Sequence, residues 1–259
     1  MKIASFNING VKARLPRLLE WLEETQPDIA CLQEIKSSDG TFPADAFAPL
    51  GYEAIWHGQK GFNGVAVLSR QGSPAVLVKT GLDGDEDDTQ ARYLECRSQD
   101  VHIACIYLPN GNPQPGPKFL YKLRWFERLR ARMAHLRDLE VPAVVIGDFN
   151  VIPTDADIWS PAAMGDDALT QAETRDAWFR LVYDGWTDAI RHFYPQGGLW
   201  TFWDYQAGAW QRDHGFRIDH ALLSPKASDR LVAAGVDRSH RGRERASDHA
   251  PIWVNLRDA

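Results

Sequence analysis

The sequence is poor in cysteine and has no long apolar run. Its three cysteines, Cys31, Cys96 and Cys105, are too few for a disulfide framework, and no two have the spacing of metal ligands. Each lies in a short apolar stretch, so we expect buried free thiols and a reducing, cytoplasmic location. No apolar stretch approaches the roughly 18–20 residues of a membrane span, and the first residues lack the apolar core of an export signal. We therefore expect no membrane partner.

Positive charge is also in short supply. The 29 lysines and arginines are outnumbered by 35 aspartates and glutamates, which gives a net charge of −6. The charge total therefore argues weakly against nucleic acid as a partner. The basic residues are nevertheless clustered in segments 12–17, 118–132 and 238–245. Each cluster is either a solvated face or a local patch that binds phosphates.

Apolar sequence is present in ordinary quantity. Hydrophobic residues make up 44% of the 259 residues and charged residues 25%, as in a typical globular protein. A chain of this length buries enough surface to fold without disulfides or a structural metal. No linker, low-complexity tract or change of composition divides it. We therefore expect one domain over residues 1–259, and a monomer.

The apolar periodicity alternates between that of strands and that of helices. Residues 3–8 and 29–32 have the pattern of strands, and apolar positions over residues 11–24 recur at helical spacing. A strand, a helix and a strand in this order imply that the two strands are parallel. Further strands are predicted over 52–56, 64–69, 75–78, 93–97, 102–107, 141–146, 217–223 and 251–256, and helices over 118–139, 172–183 and 187–193. The pattern is that of an α/β protein with a mixed sheet.

Polar side chains accompany the ends of the apolar strands at several separate points of the chain. A turn or a helix cap explains any one of them, but not the whole set. Ligand sites of α/β proteins lie at strand ends, so we expect these residues to converge on one site. They are Asn7, Asn9, Glu34, Tyr107, Asn110, Asp148, Asn150, Asp219, Asp248 and His249.

Five members of this set favour a divalent cation that prefers oxygen ligands. Glu34, Asp148 and Asp248 offer carboxylates, and Asn7 and Asn150 offer amide oxygens. Such donors suit Mg²⁺, with Mn²⁺ as a substitute, and not structural zinc. Mg²⁺ held by a few carboxylates usually serves phosphate chemistry.

Two further members have the chemistry of an acid–base pair. Asp219 offers a carboxylate, and His249 offers an imidazole that the carboxylate can hold in one orientation. The sequence therefore predicts a metal site with an acid–base pair beside it.

Eight motifs of the chain resemble those of one enzyme family. They are SFNING (5–10), PDIACLQE (27–34), HGQKGFNGVA (57–66), YLPN (107–110), GDFN (147–150), TFWDY (201–205), RID (217–219) and SDHAP (247–251). In this order and spacing, the chain from residue 2 to about 256 is similar to the exonuclease III family of abasic-site (AP) endonucleases, in the endonuclease/exonuclease/phosphatase superfamily. The GDFN and SDH motifs occur across the superfamily, whereas HGQKG, FWDY and RID favour its DNA-repair branch.

The resemblance implies a fold and an activity. The fold would be a four-layered α/β sandwich of the deoxyribonuclease I type, with two packed mixed β-sheets flanked by helices. The activity would be that of a metal-dependent DNA-repair phosphodiesterase, cleaving DNA 5′ to abasic sites and removing 3′ nucleotides or blocking groups. The partner would be double-stranded DNA with abasic sites or 3′ ends. The residues are compatible with one or two metal ions, and with any balance of AP-endonuclease, 3′-exonuclease, 3′-phosphatase and RNA-strand activities.

The resemblance also implies roles at the metal site. Glu34 matches the principal metal ligand, with Asn7 and Asp248 close by. Asp148 matches the group that activates the water or protonates the leaving oxygen, and Asn150 the group that orients the water. The general base is either Asp148 or the histidine of the SDH motif.

Further roles concern the phosphate and the DNA backbone. His249, held by Asp219, matches a histidine that contacts the phosphate, and Tyr107 matches a catalytic tyrosine near the scissile bond. Asn110 and Lys60 match residues that touch the DNA backbone.

An aromatic segment follows in the second half of the chain. Four of the eight residues 198–205 are aromatic. We expect Trp200 and Tyr205 to be core residues, and Phe202 and Trp203 to form the wall of an apolar pocket. A pocket too small for a complete nucleotide would select a sugar without its base by exclusion. Phe216 stands just before the RID motif, where the family varies between aromatic and aliphatic residues, so a DNA contact of this side chain is left open.

Two other functions are compatible with parts of the pattern. A phosphatase acting on a lipid head group or a small nucleotide would share the metal site but lack the DNA-contacting aromatics. A nucleic-acid-binding protein without activity would keep the fold and lose the metal ligands. The complete set of acidic, amide and imidazole residues favours a DNA-repair hydrolase.

Overall fold

In the computed structural model, which describes residues 1–258, twelve strands form two six-stranded sheets. The strands are β1 (Lys2–Asn7), β2 (Ile29–Gln33), β3 (Tyr52–His57), β4 (Val65–Arg70), β5 (Ala75–Thr80), β6 (Tyr93–Ser98), β7 (Val101–Tyr107), β8 (Ala143–Asp148), β9 (Thr187–Asp188), β10 (Asp219–Leu223), β11 (Leu231–Val236) and β12 (Ile252–Leu256). The first sheet has the order β11-β12-β1-β2-β4-β3 and the second the order β5-β6-β7-β8-β10-β9. The pairs β1–β2 and β7–β8 are parallel and the other pairs are antiparallel, so both sheets are mixed.

Helices cover the outer face of each sheet. Those on the outer faces are α1 (Val11–Thr25), α2 (Pro117–Asp138) and α3 (Ala172–Tyr183), whereas the shorter α4 (Ala189–Phe193) and α5 (Pro225–Ser228) contribute to the cluster between the sheets. Trp21 of α1 is buried in the apolar cluster of the first sheet, and Trp125 of α2 and Trp178 of α3 are buried in that of the second. A third cluster, with Ile3 and Ile146 among its members, fills the space between the sheets. These four layers confirm the predicted α/β sandwich.

The structure differs from the sequence-based elements in two places. Strand β11 was not predicted, because its run of alanine and glycine has little apolar periodicity. Gly235 lies under the indole of Trp253, where a Cβ would come within 2.7 Å of the ring. The predicted helix over 187–193 begins with the two residues of β9 and becomes helical at Ala189. The three cysteines are free and buried, as expected. Within residues 1–258, no helix has both the length and the apolarity needed to cross a bilayer.

A buried ion network holds the loop after β8 against the start of β10. Arg217 is 2% exposed, and its guanidinium donates to Asp157 Oδ1 at 2.7 Å and to Asp188 Oδ2 at 2.9 Å. It also lies 2.9 Å from His220 Nδ1, while His220 Nε2 lies 3.0 Å from the carbonyl oxygen of Val151. Burial lowers the pKa of His220 to about 3, so the ring is neutral, accepts from the arginine and donates to the carbonyl. The arginine of the RID motif therefore fixes the backbone on both sides of the site.

Strand β8 reaches the site through a glycine that has no room for a side chain. Gly147 has a φ of 152°, and a Cβ there would lie 2.0 Å from the carbonyl oxygen of Ile106. Strands β7 and β8 pair at this point, with Ile106 opposite Gly147. The glycine thus permits close pairing one residue before Asp148.

We expect Gly147→Ala to lower the free energy of unfolding by roughly 1–3 kcal/mol or more, because the added methyl group must push β7 away from β8. Urea unfolding measures the change. Gly40→Ala is the matched control, since no atom lies within 4 Å of a Cβ at Gly40. Equal losses in the two variants would contradict the steric explanation.

Candidate active site

The two sheets bring their polar residues to the same end of the sandwich. Glu34 directly follows β2, and Asp148 is the last residue of β8. Strand β10 runs antiparallel to β8, and Asp219 at its start pairs with Asp148. His249 precedes β12, which runs antiparallel to β1. The carboxyl ends of some strands therefore meet the amino ends of their antiparallel neighbours. The expectation that the polar residues follow strands is wrong for Asp219 and His249, because β10 and β12 run antiparallel to their partners and begin at this end.

The side chain of Asn7 joins the two sheets at this end. It is completely buried. Its amide nitrogen donates to Glu34 Oε1 at 3.0 Å, on the first sheet, and to Asp148 Oδ2 at 2.9 Å, on the second. Glu34 has a φ of 48°, in the left-handed region that non-glycine residues rarely adopt. The turn at Glu34 ends strand β2, so the Glu34 carboxylate lies at the end of the sandwich.

Two carboxylates and an imidazole form a compact cluster around this amide. One ligand atom from each of Glu34, Asp148 and His249 lies within 4.8 Å of the others. Burial raises the pKa of Asp148, and the nearby charges of Asp219 and Glu34 raise it further. The pKa of Glu34 is below its ordinary value, because hydrogen bonding and a nearby ammonium outweigh its burial. Two carboxylates this close repel each other, so a cation between them is favourable.

His249 is held in one orientation and in its charged form. Its Nδ1 lies 2.8 Å from Asp219 Oδ2, and its Nε2 lies 3.8 Å from Asp148 Oδ2. Burial alone would lower the pKa of His249, but Asp219 outweighs it and raises the pKa to about 10. An imidazolium cannot coordinate a metal, because coordination needs a free nitrogen lone pair. The carboxylates of Glu34 and Asp148 are therefore the groups here that fit an oxygen-preferring cation such as Mg²⁺. Asn7 turns its amide nitrogen toward both carboxylates, while its Oδ1 accepts from the Asn9 N–H at 3.1 Å.

Asn150 is fixed by contacts on every side. Its amide nitrogen donates to the carbonyl oxygen of Leu108 at 2.8 Å, and its Oδ1 accepts from Asn110 Nδ2 at 3.1 Å. Its backbone N–H donates to Asp148 Oδ1 at 2.9 Å. The ammonium of Lys122, completely buried on α2, donates to the carbonyl oxygens of both Asn150 and Asn110. Asn110, predicted to touch DNA, is exposed and also positions Asn150.

Tyr107 lies beside the acidic cluster at the end of β7. The guanidinium of Arg92 stacks on its ring at 4.7 Å. Burial raises the pKa of Tyr107 well above its usual value, and the charges of Glu34 and Asp148 raise it further. The phenol therefore keeps its proton and can donate a hydrogen bond to an anion in the site.

Asp248 stands outside the compact cluster. Its Oδ1 accepts from Asn9 Nδ2 at 3.0 Å, and through Asn9 it is linked to the end of β1. Lys36, which sequence reasoning missed, forms an ion pair with Glu34 Oε2 at 2.9 Å and also contacts Asn9 Oδ1. Its place two residues after Glu34 was the available signal. On the side of the first sheet, Lys36 thus links Glu34 to Asn9, and Asn9 links them to Asp248.

An apolar wall adjoins the imidazolium. The ring of Phe202 lies 4.7 Å from that of Phe216 and 5.0 Å from that of His249, between centroids. Both phenylalanines are half-buried and pack against a small cluster that includes Ile158 and Ile218. The structure thus places Phe202 and Phe216 side by side next to His249. That Phe202 forms a pocket wall stays a prediction.

Two predictions for the aromatic segment are wrong. Trp203 has no exposed surface, its indole N–H donates to Asp213 Oδ1 at 3.0 Å, and Arg238 covers its ring at 5.2 Å. It is therefore a core residue and not a pocket wall. Tyr205, expected in the core, is 51% exposed, because the chain leaves the sandwich after Asp204. Alternation separates Phe202 from Trp203, but it does not tell which side is inside.

The loop that carries Lys60 lies at the rim of the site. Its end is tied to the segment after Glu34, since the Lys36 N–H donates to the carbonyl oxygen of Asn63 at 3.0 Å. Lys60 is exposed, and Phe62 beside it is 71% exposed. Sequence reasoning missed Phe62, although an aromatic residue between two glycines in a loop was the signal.

The three basic segments differ in whether acidic side chains neutralise them. In the segment 118–132, arginines form ion pairs with Asp88, Asp184 and Glu95, so much of their charge is neutralised on the outer face of α2. The other two segments meet across Tyr205, where Arg14 and Arg241 lie 5.9 and 5.2 Å from the ring. Local positive charge therefore borders the site despite the negative total.

Comparisons with known proteins agree with this geometry. The model of the endonuclease/exonuclease/phosphatase family matches residues 4–249. The chain is 35% identical to exodeoxyribonuclease III of Haemophilus influenzae, over 99% of this chain and 100% of that protein. It is similar in structure to an AP endonuclease from Archaeoglobus fulgidus (33% identity, 99% of both chains, TM-score 0.94). It is also similar to the 3′ phosphatase NExo from Neisseria bound to a product DNA hairpin (36% identity, 99% of both chains, TM-score 0.93). The chain therefore belongs to the endonuclease/exonuclease/phosphatase family, and within it to the exonuclease III group of AP endonucleases.

Proposed function

We propose that this protein is a Mg²⁺-dependent DNA-repair phosphodiesterase that cleaves duplex DNA 5′ to abasic sites and removes nucleotides or blocking groups from 3′ ends. The observation that carries the proposal is the convergence of two carboxylates, a fixed asparagine and an imidazolium at one end of the sandwich. The names of its relatives, an exodeoxyribonuclease III, an AP endonuclease and a 3′ phosphatase with product DNA, support this substrate class.

Glu34 and Asp148 would hold the metal ion, and Asn7 would join them through Oδ1 once its amide group turns over. Their oxygen donors suit Mg²⁺, and Mn²⁺ would substitute. A bound ion supplies positive charge where a phosphodiester and its transition state gather negative charge. Asp248 and Asn150 would act at one remove, through the contacts that fix Asn9 and Asp148.

The chain's own groups would bind the phosphate and aim the water. The imidazolium of His249 donates through Nε2 to a non-bridging oxygen, while Asp219 holds Nδ1. Tyr107 donates from its neutral phenol. Asn150 orients the attacking water, whose oxygen bonds to phosphorus while its proton passes to Asp148. The bond from phosphorus to the leaving 3′ oxygen breaks, and that oxygen takes a proton from solvent to become a 3′-hydroxyl group. We assign the general base to Asp148 because Asp219 holds His249 as a proton donor to the phosphate, and because the Asn150 N–H fixes the Asp148 carboxylate beside the group that orients the water.

The apolar wall would supply selectivity for damage. Phe202 and Phe216 lie directly beside His249, where the sugar of the reacting nucleotide would sit. A base-less sugar fits an apolar recess that a complete nucleotide does not. The wall favours DNA over a lipid head group or a small nucleotide as substrate. Lys60, Asn110 and Arg14, which lies beside Tyr205, would contact the DNA backbone.

Three further proposals concern the whole molecule. We propose that the chain is one domain, that it works as a monomer and that it is cytoplasmic. Its three free, buried thiols are compatible with a reducing compartment. Size-exclusion chromatography with light scattering tests the monomer.

The first test is nicking of a duplex that carries one abasic analogue. Nicking should require Mg²⁺ and stop in EDTA. Glu34→Gln keeps the size of the side chain and removes its charge, so activity at low Mg²⁺ should fall by about 10–100-fold or more and recover in part at high Mg²⁺. Glu53→Gln, at the exposed position of strand β3, is the control. Activity of Glu34→Gln equal to that of wild type at low Mg²⁺ would remove Glu34 from the metal site.

The second test separates the acid–base groups. Asp148→Asn and His249→Ala should each reduce the rate by ~10²–10⁴-fold, and Asp219→Ala by less. Without Asp219 the pKa of His249 falls from about 10, so the imidazolium loses its proton at neutral pH. The rate of Asp219→Ala relative to wild type should therefore rise as the pH is lowered from 8 to 6. A flat ratio, or a larger loss than in His249→Ala, would refute the pairing.

The third test concerns the wall. Phe202→Ala enlarges the recess, so the ratio of nicking rates on abasic and undamaged duplexes should narrow, with the Mg²⁺ dependence unchanged. Trp203→Ala is the matched control: its indole is buried away from the recess, so the melting temperature should fall and the ratio should stay constant. An unchanged ratio in Phe202→Ala would make Phe202 a packing residue only.

A further inference from the structure

Trp159 and His214 form a stacked pair near the apolar wall, with the indole exposed and the imidazole partly buried. Their ring centroids are 3.6 Å apart, and the ring planes are within 3° of parallel. Of the ten tryptophans in the sequence, Trp159 alone is classed as exposed within residues 1–258, with 41% of its surface accessible. What distinguishes this indole from other exposed aromatic side chains is its parallel stacking on His214 and its position beside the apolar wall.

A series of short β-bridges connects the pair to the catalytic histidine. His249 bridges to Phe202, Phe202 to Phe216, and Phe216 to Ile158, the residue before Trp159. Bridged segments lie ~4.8 Å apart, so three steps place Ile158 about 14 Å from His249 along the backbone. Successive bases rise about 3.4 Å along a DNA strand. The pair therefore stands within a few nucleotides of a phosphate bound at His249.

The backbone, and not the stacking itself, holds the two rings in place. The Trp159 N–H donates to the carbonyl oxygen of Gly215 at 3.0 Å, and the His214 N–H donates to that of Ala209 at 2.8 Å. A Cβ at Gly215 would lie 2.6 Å from Trp203 Nε1, so this segment is closely packed. The imidazole covers one face of the indole, and backbone hydrogen bonds fix the chain at both residues.

We propose that the Trp159–His214 pair binds an unpaired nucleobase of the DNA that occupies the active site. Every base has a π-face, so stacking on an aromatic surface needs no particular sequence. Bases inside a duplex already stack on each other, which leaves an unpaired base as the one able to use the pair. Arg212 lies two residues before His214, is exposed, and makes no ion pair within residues 1–258, so it can contact the adjoining phosphate. The inference rests on DNA as the ligand and not on cleavage at abasic sites.

Two sources offer such a base: a strand end that extends beyond the duplex, and the base opposite an abasic site. Both present the same chemistry to the indole. Four duplexes distinguish them: one blunt and fully paired, one with a short unpaired extension, one with an abasic analogue opposite a base, and one with abasic analogues on both strands. Phosphorothioate linkages keep the DNA intact in Mg²⁺, and fluorescence anisotropy gives the affinity of the protein for each duplex.

Wild type should bind a duplex with an unpaired base about 5- to 100-fold more tightly than its counterpart without one. Trp159→Ala should lose this preference while keeping its affinity for the blunt duplex. Trp159→Leu retains apolar bulk without a π-face, so it should behave like Trp159→Ala, and Trp159→Phe should retain part of the preference. Tyr183→Ala removes another aromatic side chain, 81% exposed on the distant helix α3, and should change nothing.

Each outcome of the binding measurements either identifies the source of the base or overturns the proposal. A preference for the extension alone assigns the pair to strand ends, and a preference for the opposed abasic duplex alone assigns it to the base opposite the lesion. No preference in wild type, a preference retained in Trp159→Ala, or one retained in Trp159→Leu would overturn the proposal, the last because the pair would then only anchor its loop. Thermal melting of each variant shows whether the fold is intact. Nicking of the abasic duplex is measured separately, so failure of the proposed function is distinguishable from failure of the Trp159–His214 pair to bind a base.

Discussion

The hydrogen bonds of one buried amide connect the two halves of the catalytic site. Asn7 donates to a carboxylate of each sheet, and these carboxylates have no other reason to come together, since each would be better solvated apart. The amide offsets part of their repulsion, and a cation would offset the rest. Correct packing of the sandwich is therefore a condition for the site, because a small shift of one sheet relative to the other would separate the two acids.

The residues around the two carboxylates set the protonation states of His249 and Asp148. Asp219 keeps the imidazole charged, while burial and neighbouring carboxylates raise the pKa of Asp148. The result is a donor and an acceptor side by side, with Nε2 and Oδ2 3.8 Å apart. Arg217 and His220 brace the backbone behind them. The ion network below the site thus contributes to function through geometry alone.

Much of the fold and of the site could be predicted from the sequence, because both depend on local signals. Apolar periodicity located most strands, and polar residues at their ends located Glu34, Asp148 and Asp219. Lys36 and Lys122 were missed, since a long side chain that reaches a carboxylate or a backbone carbonyl leaves no periodic signal. Trp203 was misplaced because residues 201–205 form isolated bridges, in which both Thr201 and Phe202 donate to one carbonyl oxygen. Without a regular ladder, alternation does not identify the inner side.

The three thiols lie in the layer between the sheets, and this position controls their chemical modification. Cys105 contacts the carbonyl oxygen of Leu32 across that layer, and Cys31 and Cys96 are equally shielded. Burial also raises the pKa of Cys31, so little reactive thiolate forms there. An oxidant or an alkylating agent reaches these sulfurs only when the sheets part, which is also the motion that pulls the two acids of the site away from each other. The rate of thiol modification would therefore measure how often the two sheets, and with them the two acids of the site, separate.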